Sequence, residues 1–319
     1  MILSDLVGYR NKVNNLSIDE FQNLVDQELT KIIGDVASDD TEMEYDQYQI
    51  EEIRSKIIAN IVELNHQVSK YRQHLNEVIK DKQTPYIQKS YQQYEEFLKD
   101  PPEYIIDRHL FKTLIYKEDV ELHFLSRIKH NASWKVSGLF IRPETGKYVD
   151  PMITCNPLYI VDDHQKLLDS VKRLWNTEFQ ERLIYKLIKH DGVHLSGIPK
   201  NQLGLVVAMN YFNYRPLDIM REYFKEIYDA LRPGGIFIFT YNNCDLPGSV
   251  RNFENSMYSY TPGSLVQAMC QSLGFEIVNV VDYETINVSW LEIKKPGEIK
   301  SMRGGQELAK IIYDPADKI

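Results

Sequence analysis

Apolar residues recur along this chain with two different periods, and the change of period marks its organisation. Between residues 50 and 78, Ile50, Ile53, Ile57, Ile61, Leu64, Val68, Tyr71, Leu75 and Val78 fall three or four apart among Glu, Lys, Arg, Gln and Asn. That spacing predicts one long amphipathic helix, and a heptad-like seam sustained for about four repeats predicts a coiled coil over residues 50–80. Two successive steps of four, Ile53 to Ile57 to Ile61, shift its phase as a stutter would. Such a stripe serves either self-association or packing against the chain's own second domain. Ahead of it, Ser17 and Glu20 form a capping box for a shorter helix bearing Phe21, Leu24, Val25 and Leu29. Pro85 is expected to end the long helix. A Tyr- and Gln-rich helix then follows over 87–98, and Pro101-Pro102 marks a domain boundary.

From residue 136 onward the apolar runs are short and dense. Val136 to Ile141 and Pro157 to Val161 predict two strands, joined through the turn Arg142-Pro143-Glu144-Thr145-Gly146. Leu167, Leu168, Val171, Leu174 and Trp175 predict a helix. Thr177 to Gln180 reads as the cap of another, bearing Phe179, Leu183, Ile184, Leu187 and Ile188, so the third strand is expected within 191–202. Leu203 to Met209 has the unbroken apolar character of a strand buried on both faces. Pro216 opens a helix with Met220, Tyr223, Phe224, Ile227 and Leu231 on one stripe; Pro233-Gly234-Gly235 stops it, and Ile236 to Tyr241 returns as a strand. Strand, helix and strand in that order predict a parallel pair. Residues 242–260 read as a loop over the carboxyl end of the sheet, Thr261-Pro262 opens a last helix, and Phe275 to Val281 and Ile286 to Ile293 predict two final strands.

Composition narrows the function classes. With 319 residues and 43% hydrophobic content the chain can bury a full core, and we divide it into a helical region 1–102, an α/β domain 103–295 and a polar tail 296–319. A formal charge of −9 without any dense Lys/Arg run disfavours nucleic acid as a partner. Cys155, Cys244 and Cys270 lack the spacing of a zinc site or disulfide framework, so no metal is expected and a reducing compartment is. No apolar run approaches the ~18 residues of a membrane span. A soluble, cytoplasmic protein without a membrane partner is the expectation.

The stretch LRPGGIFIFT (231–240), which ends a helix and opens a strand, resembles the fifth-strand region of class I S-adenosylmethionine-dependent methyltransferases. The resemblance covers residues 136–294. It implies an α/β, Rossmann-like sheet of seven strands with the last antiparallel, S-adenosylmethionine as cofactor, and methyl transfer to a small-molecule or protein acceptor. The first two predicted strands fit independently, since a strand, a turn with Gly and a strand ending in an acid about twenty residues later is how such folds hold a nucleoside. Asp162 is then expected to accept ribose hydroxyls, with Asp163 as the exchangeable neighbour, while Gly146 lets the turn approach the cofactor. The family's G-x-G-x-G turn is altered here: Arg142 and Glu144 occupy its first two glycine places. Arg142 either meets the methionine carboxylate or fills the pocket, and Glu144 adds negative charge nearby. Ser196 or His194 is expected near the adenine. Asn210 and Tyr211 stand where amino-group methylases carry an Asn- or Asp-Pro-Pro-aromatic turn, which makes them candidate catalytic residues, with Asn210 also expected at the cofactor. Transfer from a sulfonium relies on positioning more than on an acid or nucleophile. The alternative is a catalytically inactive methyltransferase-like scaffold that uses its helical arm to assemble into a homo-oligomer.

Overall fold

The computed structural model describes residues 7–8, 11, 47–99, 118–143, 146, 148–174, 180–188, 194–255, 258–284 and 287–298. The short helix predicted over residues 17–29, the boundary at Pro101-Pro102 and the tail from 299 lie outside these. Two compact units divide the chain, Met1–Pro85 and Tyr86–Ile319. Helix α1, Gln47–Lys99, runs through both, so the long helix predicted from the apolar seam is present. Pro85 does not end it. An interior proline forfeits a backbone hydrogen bond and costs about 3 kcal/mol relative to alanine, but the residues after it are held by contacts within the second unit, such as those of Tyr86 and Ser90 with Tyr260.

That second unit is built on a seven-stranded sheet in the order β3-β2-β1-β4-β5-β7-β6. The strands are β1 Ser137–Ile141, β2 Leu158–Asp162, β3 Leu183–Leu187, β4 Leu203–Ala208, β5 Leu231–Tyr241, β6 Glu276–Tyr283 and β7 Val288–Lys294. The first five pair in parallel, and β7 inserts antiparallel between β5 and β6. This is the Rossmann-like methyltransferase sheet expected from the resemblance.

Alternation along each strand sorts the core into two layers. Leu139, Ile141, Val206, Ala208, Phe237 and Phe239 share one cluster with Met220, Phe224 and Ile227 of helix α4, Leu217–Ala230. Phe140, Leu205, Val207, Ile238 and Trp290 share the other with Phe124 and Ile128 of α2, Glu118–Asn131, and with Leu168 and Val171 of α3, Gln165–Leu174. All five residues of β1 and all six of β4 are buried, as a strand covered on both faces requires.

Four predicted stretches differ. Strand β5 opens at Leu231, so Leu231 to Gly235 belongs to the strand and not to the end of α4. Leu183 to Leu187 is the edge strand β3, not a helix, and residues 194–202 form turns, not a third strand. A short apolar run satisfies both periods, and pairing with β2 decides between them. Within the expected loop 242–260 lies helix α5, Pro247–Asn255, followed by α6, Gly263–Ser272. Pro247 presets the first turn of α5, and Val250 and Phe253 are its buried stripe. Among the described residues no helix is long and apolar enough to cross a membrane, and no group of His, Cys, Asp or Glu side chains is placed to hold a metal.

Helix α2 is fastened to β7 by an aromatic and a charged contact. Phe124 stacks on Trp290 with ring centroids 4.5 Å apart, and Arg127 pairs bidentately with the buried Glu292, which also accepts the Trp290 indole N–H at 2.8 Å. Phe124→Ala is therefore expected to cost about 3 to 5 kcal/mol in equilibrium urea unfolding; a cost under about 1 kcal/mol would mean that α2 contributes little to the core.

Candidate functional site

Ligands of open α/β sheets bind outside the carboxyl ends of the strands, where the order reverses. In this sheet that crevice lies beyond β1, β2 and β4. Its first wall is the turn after β1. Arg142 has φ of 60° and Gly146 has φ of 85°, so both ends of the turn hold the left-handed backbone that glycine favours. For arginine that conformation costs roughly 1 to 2 kcal/mol. The Arg142 side chain nevertheless points inward and is 1% exposed. Glu144 lies outside the described residues.

The second wall is the end of β2. Asp162 is fully buried, and its Oδ1 accepts the His164 backbone N–H at 2.8 Å. Its Oδ2 lies 3.9 Å from Arg142 Nε. Asp163 is engaged on both oxygens: Arg142 Nη2 donates to Oδ1 at 3.0 Å, and Arg215 Nη2 donates to Oδ2 at 3.2 Å. Arg215 comes from the turn after β4 and also donates to the Tyr211 carbonyl at 2.8 Å. Its guanidinium sits 3.4 Å from the centre of the Tyr211 ring, and that of Arg142 sits 5.0 Å from the same ring. The Tyr211 hydroxyl bonds that of Tyr223 on α4. One aromatic ring thus lies within cation–π distance of two guanidinium groups.

Electrostatics separate the two acids. Burial alone would raise the Asp163 carboxyl, but the two guanidinium groups reverse the effect and hold it well below the usual carboxylate range. Burial raises Asp162, the Asp163 charge adds to that, and Arg142 opposes it only in part. Asp163 is therefore the ionised partner and Asp162 the one held towards its neutral form. Burial pushes the Tyr211 phenol up as well, which removes it as a base near neutral pH.

The remaining predicted residues divide. Asn210, with φ of 53°, donates its backbone N–H to Thr240 Oγ1 at 2.7 Å and closes the crevice from β4; Asn210 and Tyr211 are each 1% exposed. Ser196 and His194 are not brought to this crevice. They are exposed at the amino end of β4, beside the last turn of α4, where His194 Nδ1 approaches Glu226 at 3.5 Å around a shallow cavity of about 260 Å³. Arg215 was not foreseen. Its signal is a single cation ahead of a helix-opening proline, in an aromatic turn at a strand's carboxyl end.

Behind the crevice, the segment after β5 is pinned by two asparagines. Asn242 Nδ2 donates to the carbonyls of Ser249 and Ser259, each at 3.1 Å, and its backbone carbonyl accepts from Thr261 Oγ1 at 2.7 Å. Asn243 Oδ1 accepts from the backbone of Asp245 and Gly263, at 3.0 and 2.8 Å, and Nδ2 donates to Asp282 Oδ1 at 3.0 Å. A Cβ at position 263 would lie 2.5 Å from Asn243 Oδ1, so glycine is required there.

As arranged, Arg142 fills the turn through which an S-adenosyl cofactor would approach. A full arginine side chain projects from the turn where close approach needs bare backbone, and both oxygens of Asp163 are already bonded to guanidinium groups, which leaves the buried Asp162 Oδ2, without a hydrogen-bond partner, as the one acceptor at the end of β2. No family model matches the chain, and no curated protein sequence matches it. Similar solved structures include the N-methyltransferase NodS from Bradyrhizobium japonicum in complex with S-adenosyl-L-homocysteine, at 15% identity over 65% of this chain and 98% of that one, with a TM-score of 0.45. Another is an S-adenosylmethionine-dependent methyltransferase from Mesorhizobium loti, at 11% identity over 55% of this chain and 97% of that one, with a TM-score of 0.43.

The two acids are expected to respond differently to neutralisation. Asp163→Asn should cost about 3 to 5 kcal/mol, because two buried guanidinium groups lose their carboxylate. Asp162→Asn should cost about 1 kcal/mol or less, since it keeps the acceptor for His164 and replaces a carboxyl already held towards neutral. The signs differ in pH too. The raised Asp162 contributes stability that is full below its unfolded pKa and lost as pH rises through its folded one; the lowered Asp163 contributes stability present above its unfolded pKa and lost as pH falls through its folded one. Urea unfolding of both variants across a pH series checks this, and equal costs for the two would refute the assignment.

Proposed function

We propose that this chain, whose sheet is that of the class I S-adenosylmethionine-dependent methyltransferases, uses the domain as a scaffold and not to transfer methyl groups. One observation carries the reading: the buried Arg142 side chain, bonded to Asp163, stands where the fold would admit the donor. Fold and activity are separable, because the activity resides in the site. On this reading Arg142 and Arg215 replace ligand contacts by internal ones and keep the crevice closed without a cofactor. The helical arm then supplies the interaction, with the apolar seam over 50–80 joining copies of the chain into a homo-oligomer.

A second reading is favoured by the backbone of the same turn. Left-handed φ at Arg142 and Gly146 is the conformation a glycine-rich donor loop adopts, and it persists although arginine makes it costly. Under that reading Arg142 swings aside, S-adenosylmethionine binds against Asp162 or Asp163, and a small molecule or protein accepts the methyl group.

Calorimetric titration with S-adenosylhomocysteine separates the two. The scaffold reading expects no heat of binding to the wild-type chain at millimolar ligand, and either none or a gain for Arg142→Gly. Micromolar binding by the wild type, weakened in Arg142→Gly, would overturn it in favour of the enzyme. The oligomer is tested apart: light scattering should report a dimer or larger species for the full chain, and Ile57→Asp with Ile61→Asp should return it to monomer. A wild type that is monomeric at tens of micromolar would sink the seam as an interface.

A further inference from the structure

The last turns of α1 lie on the segments that follow β4 and β5. Tyr86, Ser90 and Tyr94 are four residues apart and share one stripe of the helix. The ring of Tyr86 packs 5.4 Å from that of Phe253 and 5.5 Å from that of Tyr260, and its hydroxyl donates to Glu254 Oε1 at 3.1 Å. Ser90 is 2% exposed, and its Oγ accepts the Tyr260 backbone N–H at 2.6 Å. A small residue at the centre of the stripe lets the helix backbone come close enough for that bond. Tyr94 packs with Tyr214 and Tyr258, whose rings stack at 5.0 Å, and Tyr91 bonds Asp218 at the start of α4.

These partners sit at the carboxyl ends of β4 and β5, the edge over which an acceptor would have to enter. We propose that this edge is a helix-binding groove, and that its occupant is the segment 86–96 of the same chain, held as an internal ligand. The proposal rests on the scaffold reading and gives it a mechanism: the edge that a small acceptor would use binds an amphipathic helix presenting tyrosines around one serine. The aromatic rings supply rigid contact area at low entropic cost, and Ser90 fixes the register by claiming a backbone donor of the loop.

Two measurements on the full chain test it. In the full chain carrying Ile57→Asp and Ile61→Asp, which removes the seam as a source of protection, amide hydrogen exchange should be slower over 86–96 than over 66–80 of the same helix, because only the former is bonded into the groove; equal or faster exchange over 86–96 would overturn the proposal. The second uses a fluorescent peptide of residues 83–99 added to the wild type and to the double variant Ser90→Glu, Tyr94→Asp, with folding of the variant verified by its thermal transition. The variant should bind the peptide at least tenfold more tightly than the wild type, whose groove is filled. A folded variant that binds no better than the wild type, or no better than it binds a scrambled peptide, would refute it. Should the variant not fold, the exchange comparison decides alone. Cofactor binding is read separately by titration, so failure of the scaffold reading and failure of the groove give different results.

Discussion

Charges removed from water must be paired, and in this domain that requirement centres on Asp163. Its carboxylate is the counter-ion of two buried guanidinium groups brought from different strands, Arg142 after β1 and Arg215 after β4. Three strand ends are thereby tied at one point. An ion pair of this kind adds little net stability over a well-packed apolar equivalent, yet breaking it is expensive because it strands a charge. The arrangement therefore acts as a constraint more than as a source of stability. It specifies which conformation the turn after β1, the end of β2 and the aromatic turn after β4 can share.

The turn itself separates backbone from side chain. Its φ angles at Arg142 and Gly146 are those of a glycine-rich loop, while the side chain at the first position has been put to another use. The strain of roughly 1 to 2 kcal/mol at Arg142 is smaller than the cost of breaking its buried pair, about 3 to 5 kcal/mol. Such a combination keeps the left-handed backbone of the turn while its first side chain is bonded inside the domain.

Much of the fold was legible in sequence because burial on both faces leaves a strong signature. The run at β4, the shorter runs Leu139 to Ile141 and Ile236 to Phe239, and the stripe Met220, Tyr223, Phe224, Ile227 are of this kind. The edge strand β3 was not, since Leu183, Ile184 and Leu187 satisfy a helical and an extended spacing equally and only pairing with β2 settles the matter. Helix α5 was hidden for a related reason: its Pro247-Gly248 start reads as a turn until packing selects the helix. At the site, Arg142, Asp162 and Asp163 were identifiable by their offset from Gly146 and from the strand ends. Arg215 was not, because its role depends on a contact 52 residues away in sequence that no local pattern encodes.

Strand β7 lies between β5 and β6, although it follows both in the chain. During synthesis β6 emerges before the strand it pairs with, and until residues 288–294 are available it has only an unpaired edge. The same seven residues carry Trp290 and Glu292, the partners of Phe124 and Arg127 on α2. Elements made early therefore wait on one made late. Completion of this sheet therefore waits on residues 288–294, and until they pair, the exposed edges of β5 and β6 are where a chaperone, or a misplaced strand, would find its opportunity.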